Sequence, residues 1–196
     1  RARGAFMQQA VPVGVGAMAA IMGMDDQIVI DACTEAANGE IVAAVNFNAP
    51  GQVVIAGSSA AVDHAIELCK QAGAKRALPL PVSAPFHTSL MQPAADHLSD
   101  LVNSVKFNVP AVPVVHNVHA KTELQTDIIK ALMLEQIYKP VKWVDCVKAL
   151  RSEGISSIVE CGPGKVLSGL NKRIDPDILS LTTDNQSSFE ATLSHF

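Results

Sequence analysis

Hydrophobic positions along the first eighty residues change period several times, and each change marks an element. Ala5, Phe6 and Met7 beside Gln8 and Gln9 read as an amphipathic helix. Gly16 to Gly23 is a short apolar run that suits a buried strand, though periodicity alone leaves a helix open. Asp25 and Asp26 supply helix-start chemistry, Ile28, Val29, Ala32, Cys33 and Ala36 recur on one face, and Asn38-Gly39 supplies the stop. Ile41 to Phe47 and Gln52 to Ala56 read as strands joined by the turn Asn48-Ala49-Pro50-Gly51. Ser58 and Ser59 are placed to cap a second helix with Val62, Ala65, Ile66 and Cys69 inward, ending before Gly73. Lys75 to Leu80 is a fourth strand. The order β-α-β-β-α-β predicts a ferredoxin-like subdomain over residues 14–82, with two helices covering one face of a four-stranded sheet. That order by itself implies no activity.

After residue 83 helices and strands alternate. Ser89 to Val102 is helical by pattern, with Leu90, Ala94, Leu98 and Leu101 inward and Pro93 in its first turns. Val112 to Val118 is β-branched and reads as a strand. Asp127 to Tyr138 and Val141 to Ser152 read as helices parted by Lys139-Pro140, Ser156 to Cys161 as a strand, Val166 to Arg173 as a helix. Ile178 to Thr182 reads as a last strand, before a polar tail docked by Phe189 and Leu193. Alternation of this kind predicts an α/β layer with a parallel sheet.

The 196 residues suffice for a substantial core, and 48% hydrophobic with 17% charged residues fits a compact protein rather than a disordered one. A formal net charge of −4 argues against general nucleic-acid binding. No apolar run reaches membrane-spanning length, and no secretory h-region follows Arg1-Ala2-Arg3-Gly4. Cys33, Cys69, Cys146 and Cys161 have neither CxxC nor zinc spacing, so reduced thiols in a cytoplasmic protein are expected. The first residue is not methionine and the opening is already helix-like, as in a chain entered partway through.

The candidate chemistry centres on Leu80-Pro81-Val82-Ser83-Ala84-Pro85-Phe86-His87-Thr88, a stiff, proline-rich approach to an imidazole just before a helix start at Thr88 or Ser89. His87 there either closes a loop or acts as a general base. Asn46 and Asn48 flank Phe47 at a strand end, where they serve the turn or point carboxamides into a cleft. Lys75 and Arg76, with Lys70 one turn back, form a basic cluster that is a solvated face or a dock for an anionic partner. Arg3 is either exposed or available to grip a carboxylate with two parallel bonds. Gly162-Pro163-Gly164-Lys165 lacks phosphate-loop spacing and reads as a strand-to-helix turn. His64, His97, His116, His119 and His195 lack metal-ligand spacing, and no GxSxG nucleophile elbow is present.

Several segments together resemble the malonyl-CoA:acyl carrier protein transacylase family. They are Arg3-Gly4 with Met7-Gln8, Gly16-Ala17-Met18-Ala19-Ala20, Val45-Asn46-Phe47-Asn48, Pro50 to Gly57, and Ala74-Lys75-Arg76. Pro81-Val82-Ser83, Pro85-Phe86-His87, Leu90-Met91, Gln136, Pro140-Val141, Trp143 and Glu160 with Gly162 to Leu167 continue the register, and the tail after about Asp175 matches least. The resemblance implies part of an α/β-hydrolase-like acyltransferase domain, residues 1–13 and 83–196, into which the ferredoxin-like subdomain is inserted. It implies ping-pong malonyl transfer from coenzyme A to the phosphopantetheine thiol of acyl carrier protein, with malonyl-CoA as substrate and no cofactor or metal. His87 would be the general base and later acid, and the position matching the backbone carbonyl that holds the imidazole is Gln136. Arg3 would pair with the malonyl carboxylate, with Met7, Asn46 and Asn48 lining the substrate cleft. Lys75 and Arg76 would face the coenzyme phosphate or the acidic carrier. The family's serine, in a Gly-His-Ser-Leu-Gly motif, has no counterpart here, so these 196 residues alone are expected not to turn over. Two other readings remain: a non-catalytic ferredoxin-like binding module with an α/β layer, and an acyltransferase domain of a polyketide synthase.

Overall fold

A computed structural model describes residues 1–82 and 84–196; Ser83, part of the proline-rich stretch, lies outside the described residues. Helix α1 (Ala2–Ala10) leads into strand β1 (Gly16–Met22) and helix α2 (Asp26–Ala37), followed by β2 (Val42–Ala49), β3 (Gln52–Ser58), α3 (Ser59–Gln71) and β4 (Arg76–Pro79). Asp25 caps α2 through the amide of Gln27, and Asn38 ends it in the left-handed conformation that an Asn tolerates. The four strands pair antiparallel in the order β2-β3-β1-β4, the expected ferredoxin-like arrangement.

Period-2 alternation gives this sheet two different faces. Ala19, Ile21, Val42, Ala44, Val53 and Ile55 pack against Val29, Cys33, Val62, Ile66 and Cys69 of α2 and α3. Met18, Val45, Val54 and Ala56 point the other way, where Leu80 and Phe86 meet them. Ile28, expected on the buried face of α2, is exposed, because the helix turns Val29 and Ala32 inward instead. Ser58 and Ser59 do not cap α3 by side-chain bonds; Ser59 Oγ donates to the carbonyls of Gly14 and Val15, fastening the approach to β1.

Beyond His87 a short 3-10 turn (Ser89–Met91) runs into α4 (Gln92–Ser104), with Pro93 in the first turn where its missing amide matters least. Ala94, Leu98 and Val102 face inward; Leu101 is 48% exposed, a correction of the pattern reading by one position. The predicted strand over 112–118 shrinks to β5 (Val115–His116), which pairs with β6 (Lys121–Thr122) in a two-stranded ribbon. Pro110 and Pro113 remove ladder donors there, and Val112 is 71% exposed. Helices α5 (Thr126–Glu135) and α6 (Trp143–Ser152) are shorter than expected at the connector between them, and β7 (Ser157–Glu160), α7 (Val166–Ile174) and β8 (Leu179–Thr182) follow. β7 and β8 pair in parallel. The tail forms α8 (Gln186–Leu193), but Phe189 and Leu193 are exposed. Buried Thr192 docks it instead, its hydroxyl donating to the carbonyl of Thr182.

A second core joins Met7 and Val11 to Ala84, Met91, Ala94, Leu98, Val102 and Ile137. It is tied to the sheet through β2, where the amide of Phe47 donates to Val141 O at 2.9 Å and that of Val141 to Val45 O at 2.8 Å. Arg173 of α7 adds bonds to Gln52 Oε1 and Pro50 O at the β2–β3 turn. No helix among the described residues is long and apolar enough to cross a membrane.

Candidate active site

The face of the sheet that α2 and α3 leave uncovered forms one wall of a cleft of ≈ 500 Å³. Met18, Asn46, Val54 and Leu80 come from that side, and Arg3, Gly4, Met7 and Gln8 project from α1 opposite, spaced three and four apart on one face. Val82, Phe86 and His87 close the end where the proline-rich segment passes between the two cores.

His87 is held by its neighbours in an uncommon conformation. Its φ is 65°, in the left-handed region that a non-glycine residue enters at a cost of about 1–3 kcal/mol. Two bonds from the chain after α5 oppose that strain: the His87 amide donates to Ile137 O at 3.2 Å, and Nδ1 contacts Gln136 O at 2.8 Å. A carbonyl oxygen only accepts, so Nδ1 carries the proton and Nε2 keeps its lone pair. The preceding turn is locked by buried Thr88, whose hydroxyl donates to Pro85 O at 2.7 Å. Burial pushes the imidazole pKa below its ordinary value, and the charge of Arg3 pushes the same way. The carbonyl bond to Gln136, and a weaker backbone bond at Lys139, oppose both. The result is a neutral, oriented base beside a cleft.

Gln136 also meets Arg3. Its Oε1 accepts from Arg3 Nη2 at 3.5 Å, while its Nε2 donates to Asn117 Oδ1 at 2.9 Å. Among the described residues buried Arg3 Nε has no hydrogen-bond partner, leaving a cation with an unused donor at the cleft wall. Such a guanidinium is suited to receiving an anion.

Arg3, Met7, Asn46 and His87 therefore share one cleft, and Gln136 bridges two of them. Asn48 is not among the lining residues: the β2–β3 register shifts between Phe47 and Ala49, breaking the alternation that would have placed it with Asn46. Lys75 and Arg76 are exposed at the start of β4 and do not line the cleft, and Lys70 pairs with Glu67 at 2.8 Å. The Gly162-Pro163-Gly164 turn is no open anion site, since the Glu160 carboxylate accepts from the amides of Leu167 (3.1 Å) and Ser168 (2.7 Å) at the start of α7. Among the described residues no group of three His, Cys, Asp or Glu could hold a metal ion. Asn117 is the participant that sequence reading missed. It sits in no motif, and its contact with Gln136 becomes visible only in three dimensions.

The chain is 51% identical over 191 residues to the malonyl CoA-acyl carrier protein transacylase of Escherichia coli (strain K12), covering 97% of this chain and 62% of that protein. It superposes on the crystal structure of an acyl-carrier-protein S-malonyltransferase from Burkholderia pseudomallei with a TM-score of 0.95 at 48% identity, covering 98% of this chain and 63% of that one. The complex of a type II polyketide synthase acyl-carrier protein with its malonyl-transacylase gives a TM-score of 0.97 at 45% identity, covering 99% and 63%. The chain spans about three-fifths of the length of the curated relatives it matches. The model of the acyl transferase domain matches residues 2–173, and the chain belongs to that family.

Proposed function

We propose that this chain carries the base and the acyl-selecting half of a malonyl-CoA:acyl carrier protein transacylase. The observation that carries the reading is the pairing of His87, its Nδ1–H fixed on Gln136 O, with Arg3 in one cleft. In this reading Nε2 of His87 takes the proton of a serine hydroxyl supplied by polypeptide outside these 196 residues. The serine oxygen attacks the thioester carbonyl of malonyl-CoA, coenzyme A leaves as the thiol with the proton returned by His87, and a malonyl ester remains. The phosphopantetheine thiol of acyl carrier protein then attacks that ester, His87 again moving the proton.

Arg3 grips the malonyl carboxylate, Met7 and Asn46 line the path of the acyl chain and pantetheine arm, and Lys75 and Arg76 offer positive charge to the acidic carrier outside the cleft. No cofactor is needed beyond the substrate. The carrier belongs to fatty-acid synthesis, and the relative solved with a polyketide carrier extends the acceptor class to similar proteins. Free thiols in all four cysteines suit the cytoplasm.

The test is Arg3→Ala in the enzyme that combines this chain with its serine-bearing segment. Losing a hydrogen bond to a charged group removes about 1.5–3 kcal/mol, so kcat/KM for malonyl-CoA should fall by roughly one to two orders of magnitude. Transfer from acetyl-CoA should change little. Equal losses for the two donors refute the carboxylate clamp.

A further inference from the structure

A guanidinium selects a carboxylate well only when its plane is held before the ligand arrives. Among the described residues the Arg3 side chain donates to Gln136 Oε1, and that amide could turn over and present its NH2 group instead. It would then set donor against donor. What prevents this is Asn117, whose Oδ1 accepts from Gln136 Nε2 at 2.9 Å and so directs Oε1 to Arg3. The main chain of Asn117 is held in place: its backbone carbonyl accepts the amide of Lys142 at 2.9 Å, and the turn around it closes through Ala120 N to His116 O at 2.8 Å. Asn117 does not line the cleft.

We propose that Asn117 is a positioning residue for acyl selection, acting on Arg3 through the side chain of Gln136. The inference rests on the transacylase reading above. Its particular content lies in how Gln136 divides its contacts, since the side chain serves Arg3 while the main-chain carbonyl serves His87. Loss of the Asn117 bond should therefore weaken recognition of a carboxylate-bearing acyl group and leave the imidazole as it was. A residue that merely supported the fold would disturb both.

The experiment measures binding of malonyl-CoA and acetyl-CoA by calorimetry to the enzyme that combines this chain with its serine-bearing segment, that serine replaced by alanine so that no acyl transfer intrudes, and follows the His87 ring nitrogens by NMR titration. Asn117→Ala should weaken malonyl-CoA binding by about three- to tenfold, the worth of one neutral hydrogen bond, with acetyl-CoA unchanged. Asn117→Asp, which keeps the accepting oxygen, should restore affinity to within about twofold. The His87 Nδ1 proton should keep its bond to Gln136 O in Asn117→Ala. Gln136→Leu should give the same selective loss as Asn117→Ala, and combining them should add nothing further. It also decides the matter alone if Asn117→Ala does not fold, because an unchanged preference in Gln136→Leu overturns the proposal. Equal weakening of both ligands, or no rescue by Asp, overturns it as well. Arg3→Ala separates this failure from that of the parent reading. If the otherwise unaltered enzyme shows no preference for malonyl-CoA and Arg3→Ala changes nothing, both fall; if those controls behave and Asn117→Ala has no effect, only the role of Asn117 falls.

Discussion

Gly16 packs against the ring of Pro85, two residues before His87, and Gly16→Ala tests whether that contact reaches the imidazole. Gly16 is the first residue of β1, and a Cβ built there would collide with the ring of Pro85, standing 2.6 Å from Cγ and 3.0 Å from Cβ with Cδ nearer still. Ordinary carbon–carbon contacts lie at about 3.5–4.0 Å, so roughly 1 Å of space is missing. The pyrrolidine ring has no free end to swing aside, and Pro85 is fully buried. Strain must go either into β1, held to Ser58 across the ladder, or along the chain into Phe86 and His87. Overpacking of this kind costs about 1–3 kcal/mol. A recoil of about 1 Å would also carry the 2.8 Å contact of His87 Nδ1 with Gln136 O past hydrogen-bonding range. The assay is urea unfolding together with the NMR signal of the His87 Nδ1 proton. Gly169→Ala in α7 serves as the control, because its Cβ meets nothing within 4 Å and should gain about 0.5–1 kcal/mol from helix propensity. Gly16→Ala should lose stability and broaden or shift the His87 proton. Unchanged stability with the His87 proton unmoved would refute the reasoning.

Two further predictions concern titration and capping. Because the folded pKa of His87 lies below its unfolded value near 6.5, the unfolded chain binds more protons in that interval; stability should rise with pH up to about 6.5 and then level, and His87→Gln should flatten that rise in urea midpoints measured from pH 5 to 8. An equally steep rise in His87→Gln would show that the slope comes from other groups. Glu160→Ala, which strips the acceptor from the amides of Leu167 and Ser168, should cost about 1 kcal/mol in the same assay, with Glu160→Gln losing less because an amide oxygen remains. Equal stability of Glu160→Ala and the unaltered chain would deny Glu160 its capping role.

Residues 16–80 were legible because local rules and the final packing agree there. Val29, Cys33, Val62 and Ile66 recur at helical spacing and all end beneath the same sheet. Where local pattern competes with proline or exposure it misled. Val112 and Val114 have strand propensity, but Pro113 lies between them and both stay outside the short β5 ladder, and Phe189 and Leu193 are apolar yet exposed. The site was legible only in part. The proline-rich run announces His87, and the resemblance supplies Arg3 and Gln136. The irregularity of β2 that parts Asn48 from Asn46 depends on pairing with β3 and leaves no mark in composition. Asn117 escaped because hydrogen bonding between residues 19 apart in sequence obeys no period.

The pairing of β2 with Val141 reaches beyond the cleft. A strand at the border of a sheet is a template for the next molecule, and here part of that border is already occupied by the chain itself. The opposite border, β4, is four residues long, begins with Arg76 and ends with Pro79. Charge and a missing donor both discourage lateral growth there. Crowded solutions of this chain should therefore not stack ribbon on ribbon through either flank of its four-stranded sheet.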